Sequence, residues 1–346
     1  MNTAIAVVAF VQSRHTREDT GLSETELLAP VIAEVKEKSG VSRFGFTCSG
    51  SCDYLAGAPF SFVAALDAVG AWPPISESHV EMDAAWALYE AWVRLRHGDI
   101  DTALVYGFGK SSQGDLREIM TLQLDPYYLA PLGPDQVSLA ALQAQAYLEG
   151  SGAKENDLLA VAARSRAAGR ANPYALDLPE PDPEAGYEVA PLRPYDVAPV
   201  TDGAAAIVLA AGDRARELCE RPAWIRGIDH RSDVHSLGAR DLTRSESAAL
   251  AAERAGARDA EVEVAELHAQ FSHEELILRA ALGLSDSVVV NPSGGPLAAN
   301  PVMATGLIRI GEAAARIHDG SAARTLAHAT SGPCLQQNLV CVMEAE

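Results

Sequence analysis

Between Asn291 and Gly306 the chain reads NPSGGPLAANPVMATG, two turn-forming Gly/Pro clusters set directly before an apolar helix. Glycines permit positive φ and close backbone approach, and the first N–H groups of a helix have no partner within it. Such a loop can hold a reacting group and offer donors to a developing negative charge. Upstream, His268 follows the strand-like run Val262 to Leu267, with Glu266 two residues earlier and therefore on the same strand face. A histidine there suits a general base or an N–H donor, while the plainer alternative is a buried ring satisfied by backbone. Asp83 lies in EMDAAWALYEAWVRL, a helical segment apolar around most of its circumference. A carboxylate in that setting must be paired, desolvated with a raised pKa, or placed at a subunit interface. The five cysteines, Cys48, Cys52, Cys219, Cys334 and Cys341, form no CxxC pair and have no histidine at zinc spacing, which argues against a structural metal. Cys48 and Cys52 read as ordinary buried or loop thiols rather than a redox pair.

The elements that must position these residues alternate in type. Strand-like Ala4 to Phe10, helical Glu24 to Lys38, strand-like Phe44 to Cys48, then Phe62 to Val69, the buried helix Glu81 to Leu95 and the strand Thr102 to Gly107 mark an α/β sheet. From Gln113 to Val197 prolines accumulate, yet helices near Ser138 to Glu149 and Glu155 to Ala171 carry apolar faces, so this stretch reads as an inserted loop domain. Strands follow at Pro199 to Ala211, Ile225 to Ile228, Val262 to Leu267 and Leu339 to Met343, with helices at Ser245 to Arg254, His273 to Leu282 and Val302 to Ile317. The stretch Glu81 to Gly98 parallels Asn300 to Gly320, a weak internal repeat that suggests a duplicated βαβ unit.

At 346 residues and 48% hydrophobic content the chain can bury a large core in two halves or two domains. Its formal net charge of -20 repels phosphate backbones and anionic lipid, which excludes nucleic acid as an expected partner. The N-terminal run lacks the pattern of a signal peptide and no apolar run reaches transmembrane length, so a cytoplasmic protein without a membrane span is expected.

Four segments resemble motifs of the thiolase superfamily, in the family's order and across essentially the whole chain. They are Glu81 to Gly107, Thr201 to Ala206 (TDGAAA), Glu266 to Phe271 (ELHAQF) and the loop Asn291 to Gly306, against a family pattern of NPxGG followed by GHPxGATG. The pieces SHVEMDAAWALYEAW and LAHATSGPCLQQNLV resemble most the lipid-transfer or sterol-carrier-protein-type thiolase-like proteins of actinobacterial steroid catabolism. The resemblance implies a thiolase fold: an α/β, five-layer α/β/α/β/α sandwich of duplicated βαβ halves, residues 1–212 (with the inserted loop domain 113–197) and 213–346.

It also assigns roles. The family's acylated cysteine falls, by spacing from Gly98-Asp99, on Glu81, or on Met82 with a one-residue error, and neither can form an acyl-thioester. His268 matches the histidine of the family's HDCF-type motif. Asn300 stands where the GHP histidine would, and its amide can donate to an enolate oxygen but cannot exchange a proton near neutral pH. A helix cap before Pro301 would need the same side chain. Ala299 and Met303 replace family glycines. No cysteine occupies the place of the family's second catalytic one, although Cys334 and His328 flank it. The implied catalytic set is thus His268, Glu81, Asn300 and His328, with Asp83, Tyr54, Gly294, Gly295 and Cys334 contacting substrate.

A thioester site that has lost its nucleophile can still stabilise an enolate, which suits retro-aldol cleavage of a β-hydroxyacyl-CoA. The resemblance therefore implies a subunit of a steroid side-chain aldolase, with no permanently bound cofactor and coenzyme A present as part of the substrate. It implies a partner combining a zinc ribbon and an OB-fold, and a homodimer or a heterodimer with a thiolase-like paralogue. The alternative is a catalytically inactive scaffold subunit supporting an active paralogue. A lipid-transfer protein proper and a true acyl-CoA thiolase fit less well.

Overall fold

The computed structural model describes residues 3–57, 59–70 and 76–346. Its strands are β1 (Ile5–Gln12), β2 (Phe46–Gly50), β3 (Glu77–Val80), β4 (Thr102–Lys110), β5 (Asp202–Ala211), β6 (Ala223–Ser232), β7 (Val264–Leu267), β8 (Val289–Val290), β9 (Arg324–Ser331) and β10 (Gln337–Glu344). Its helices are α1 (Glu24–Ser39), α2 (Asp53–Ala56), α3 (Phe62–Val69), α4 (Ala84–Arg96), α5 (Leu116–Thr121), α6 (Gln136–Ser151), α7 (Glu155–Ala171), α8 (Gly212–Leu218), α9 (Glu246–Arg254), α10 (Ser272–Leu282) and α11 (Thr305–His318).

The strands join in the order β3-β2-β4-β5-β1-β6-β10-β9-β7-β8. Read outward from the centre, each half runs through the same succession, and in each the outer pairs are parallel while the inner ones are antiparallel. The halves meet at β1 and β6 through only two residue pairs, Ala6 with Trp224 and Val7 with Ala223.

Strand residues alternate between separate cores, which is why β4 and β5 are apolar at nearly every position. Val105 and Ile207 face the middle core, where Leu88 and Leu95 of α4 and Leu307 and Ile310 of α11 pack against strands of both halves. Leu104 and Val208 face outward to Leu28 and Ile32 of α1. On the far side, Leu326, Val340 and Val342 pack against Ala251 of α9 and Ile277 and Leu278 of α10. The result is the expected five layers, with α4 and α11 as the shared middle one. Within the proline-rich segment, α6 and α7 build a small core of their own from Val137, Ala144, Leu158 and Leu192 against Phe271.

Two helix starts differ from expectation. The helix expected from Glu81 begins at Ala84 because Asp83 takes the N-cap position, and the one expected from Val302 begins at Thr305 after a turn. Arg324–Ser331 is a central strand that its mixed composition, RTLAHATS, conceals. Cys48 and Cys52 are free, buried thiols.

Candidate active site

The site forms where α4 and α11 begin side by side. Oδ1 of Asp83 accepts the N–H groups of Ala85 (2.8 Å) and Leu307 (3.2 Å), and Oδ2 accepts that of Gly306 (2.8 Å). The Ala84 N–H donates to the Met303 carbonyl at 2.8 Å. One carboxylate thus caps two helices from different halves, so the Gly306 and Leu307 N–H groups at the start of α11 are already occupied. Burial pushes the Asp83 carboxyl up to about 6, while the three N–H groups and Arg309 hold it back. Gly306 is required by this packing: a Cβ there would lie 2.5 Å from Asp83 Oδ1 and 2.6 Å from Ala329 Cβ. Gly306→Ala should therefore destabilise by about 2–3 kcal/mol through overpacking, despite the better helix propensity of alanine. Urea unfolding measures it, and a neutral or stabilised variant would contradict the close approach.

Beside these helix starts lies a cavity of about 560 Å³, within the range that takes a small-molecule ligand. Tyr54, Glu81, Met82 and Asp83 form one wall, residues of the segment between Met120 and Leu139 another, and His268, Gln270, Phe271, Glu274, Met303 and the turn around Cys334 the rest. His268 is buried at the end of β7. Its Nδ1 accepts the Thr330 N–H at 3.4 Å, and its Nε2 lies 3.1 Å from the Gln270 side-chain amide. Burial, with smaller contributions from His328 and Arg309, holds its pKa well below the usual histidine range. The ring is therefore neutral and carries one N–H; because the Gln270 amide nitrogen faces Nε2, that proton sits on Nε2 only when the amide is turned to present its oxygen.

Glu81 sits at the rim, where its Oε1 accepts the Asp53 N–H at 2.6 Å. Tyr54 is 56% exposed at the mouth. The Cys334 thiol donates to the Leu139 carbonyl at 3.3 Å, and burial pushes it up to about 12, so it is no thiolate.

The other candidates lie outside the cavity lining. Asn300 turns inward: its N–H donates to Thr201 Oγ1 at 3.0 Å and its Oδ1 accepts from the Thr305 hydroxyl at 2.8 Å, so it braces the loop, neither capping a helix nor lining the cavity. Gly294 and Gly295 have φ of 97° and 60° and form a turn packed against Gly169 and Asn291, where a Cβ would collide. His328 is fully buried, with Nε2 2.9 Å from Asn338 Oδ1 on the adjoining strand β10. Glu266 accepts the Ser293 N–H (3.0 Å) and hydroxyl (2.7 Å) and pairs with Arg309 at 2.7 Å, both side chains being under 5% exposed. That ion pair and the Leu267 N–H donating to Asn291 Oδ1 at 2.6 Å tie the Asn291–Gly306 loop to β7 and α11.

Sequence reasoning missed Glu274, which is 4% exposed and lines the cavity. Its Oε2 accepts the N–H groups of Gln270 (2.8 Å) and Phe271 (3.2 Å), and burial pushes the carboxyl up to about 8. An acidic pair in a helix's first turn signals only a helix start, so nothing in SHEEL distinguished Glu274 from its neighbour. Among the described residues the lining contains no lysine or arginine, but it does contain the carboxyls of Glu81, Asp83, Asp125 and Glu274. No group of His, Cys, Asp and Glu among the described residues is arranged to hold a metal, and no described helix is long and apolar enough to cross a membrane.

No protein-family model matches the chain. It is 28% identical over 275 residues to the acetyl-CoA acetyltransferase of Methanocaldococcus jannaschii, covering 69% of this chain and 70% of the relative. It is 30% identical over 145 residues to the acetyl-CoA acetyltransferase of Methanothermobacter thermautotrophicus, covering 35% and 38%. It is 25% identical over 233 residues to the benzoylsuccinyl-CoA thiolase subunit BbsB of Thauera aromatica, covering 57% and 60%. Among solved structures it superposes on a chain of the Ltp2-ChsH2(DUF35) aldolase with a TM-score of 0.80 at 18% identity, over 99% of this chain and 98% of that one. With two half-sheets of the same order enclosing α4 and α11, and with thiolase-type enzymes as its sequence relatives, the chain has a thiolase-like α/β fold along essentially its whole length.

Proposed function

We propose that the chain is a subunit of a thiolase-fold carbon–carbon lyase that carries out retro-aldol cleavage of a β-hydroxyacyl-CoA, a steroid side-chain CoA ester in the reading favoured by the sequence resemblance. The observation that carries this is a neutral His268 at a ligand-sized cavity that lacks a nucleophile. Glu81 occupies the rim where an acylated cysteine would be needed, and the Cys334 thiol stays protonated. In the proposed reaction a base removes the β-hydroxyl proton and the Cα–Cβ bond breaks. The β-oxygen's pair forms the C=O of the aldehyde or ketone product, the Cα–Cβ pair moves into the thioester as an enolate, which the His268 N–H stabilises, and protonation of the α-carbon frees the acyl-CoA. The relatives named for CoA thioesters and the structural neighbour named as an aldolase support this reading.

Partner use follows from charge. The nucleotide end of coenzyme A is polyanionic, and a cavity lined by carboxyls without lysine or arginine suits only the thioester and acyl portion. We infer that the nucleotide end is met by a second chain, a zinc-ribbon/OB-fold protein, in an assembly that also contains a second copy or a thiolase-like paralogue. The name of the structural neighbour, which couples Ltp2 with ChsH2(DUF35), is in keeping with this.

Incubation of the reconstituted complex with a β-hydroxy steroid-CoA ester should release a short acyl-CoA, and His268→Ala should lower kcat by about 100-fold or more. Absence of cleavage by the wild type, or undiminished cleavage by His268→Ala, would reject the assignment. The inward-turned Asn300 and His328 favour a second reading, an inactive scaffold. That reading requires that mutation of a co-purifying paralogue's site alone abolish activity.

A further inference from the structure

Of the four carboxyls lining the cavity, three are otherwise engaged or exposed. Both oxygens of Asp83 accept backbone N–H groups. Asp125 accepts the N–H groups of Tyr127 and Tyr128 and lies 3.7 Å from His235. Glu81 stands in solvent at the rim, holding the Asp53 N–H. Glu274 differs. It is 96% buried by its 4% exposure, its Oε2 is held by two backbone N–H groups, and its Oε1 has no hydrogen-bond partner among the described residues. His268, two residues before Gln270, has Nδ1 facing the Thr330 N–H at 3.4 Å and Nε2 facing the Gln270 amide nitrogen at 3.1 Å, so neither ring nitrogen offers a lone pair free of a protein donor.

Resting on the cleavage reading above, we propose that Glu274 is the proton carrier of this cavity: its carboxylate takes the β-hydroxyl proton, and the resulting acid returns that proton to the α-carbon of the enolate. The step balances without a co-reactant. The O–H bond breaks as the Glu274 O–H bond forms, the Cα–Cβ pair becomes the enolate, and the same proton ends on Cα. His268 supplies only the donor to the thioester oxygen. Burial pushes the Glu274 carboxyl up to about 8, where one group can both accept and donate near neutral pH. The other titratable groups facing the cavity do not fill the role. Asp83 has no free oxygen, Cys334 is held at about 12, His268 is a neutral donor, and Asp125 and His235 face each other.

The test uses the full chain with its partner. Glu274→Gln keeps a side-chain oxygen for the two N–H groups, so the start of α10 should survive, as an unchanged melting temperature would show. For the wild type, kcat/KM should rise about tenfold per pH unit up to about pH 8 and then level. Glu274→Gln should lose at least about 100-fold in kcat, with KM within about threefold, and should lose that pH limb. A second readout, exchange of the α-hydrogens of propionyl-CoA with D2O, needs the enolate but no aldol cleavage. Wild-type exchange that the variant loses, without cleavage of any β-hydroxyacyl-CoA, would reject the lyase reading and retain Glu274 as proton carrier. Wild-type activity kept within fivefold by Glu274→Gln in both readouts, or no exchange and no cleavage by the wild type, would overturn the proposal.

Discussion

Asp83→Ala should lower the unfolding free energy by about 3–4 kcal/mol, the largest loss expected from any single truncation at the site. Three backbone N–H groups, those of Ala85, Gly306 and Leu307, would lose their acceptor at the cavity wall, where Asp83 is only 2% exposed. Each orphaned donor costs about 1–3 kcal/mol, partly offset because a carboxylate costly to bury is removed with it. Asp83→Asn retains one acceptor oxygen but turns an NH2 group toward an N–H, so about half the loss is expected. Urea unfolding with an unchanged m-value would read both directly. A loss below about 1 kcal/mol for the alanine variant would show that these N–H groups find other partners and that the carboxylate is not what joins the helices.

Acidification should unfold the protein steeply just below neutrality. Burial lowers the pKa of His15 and His273 to about 3 and of His328 to about 4, and holds His268 well below 6.5. In the unfolded chain these rings titrate near 6.5, so as pH falls through that value the unfolded state takes up protons that the folded state refuses. Each such ring removes about 1.4 kcal/mol per pH unit until its own folded pKa is reached. Asp83 and Glu274 act in the opposite sense. Their folded pKa values, about 6 and about 8, lie above those of free carboxyls, so the folded state gains protons first and is favoured as pH falls. His318, also lowered by burial, adds to this loss, whereas Glu24, Asp196 and Glu266, raised by burial, subtract from it, leaving a net loss of about 1–2 kcal/mol per pH unit between pH 6 and 5. A calorimetric series from pH 8 to 5 should show the melting temperature rising slightly from 8 to about 7, as Glu274 takes up its proton, and dropping below about 6.5. A flat profile throughout would mean that the buried rings are charged or accessible.

Much of the scaffold was legible because its signals are local. TALVYG and DGAAAIVLAA are apolar on both faces, which only a doubly covered strand tolerates, and the helix of Asp83 is apolar around most of its circumference because it packs against strands of both half-sheets. What escaped depends on partners remote in sequence. Arg324–Ser331 has a buried strand's position without a strand's composition, because Asn338 pairs with the His328 Nε2 and the Gln337 carbonyl with the Thr330 hydroxyl. Asn300, read either as an enolate donor or as a helix cap, instead holds the Thr305 hydroxyl with its oxygen, a partner that no local pattern announces. Asp83 showed in the sequence as a carboxylate needing an explanation, but the two N–H groups that answer it lie more than 220 residues away. Glu274 was masked by Glu275, which has a different fate, paired with Arg164.

The two halves repeat one plan, yet the repeat is no longer interchangeable. α4 has its own cap in Asp83, whereas the residue preceding α11 is Ala304, whose side chain can cap nothing. The second half has surrendered this function to the first and depends on a side chain it does not encode. A gene encoding only the second half would yield a chain whose central helix starts with unanswered amides, so the duplication cannot be undone by dividing it.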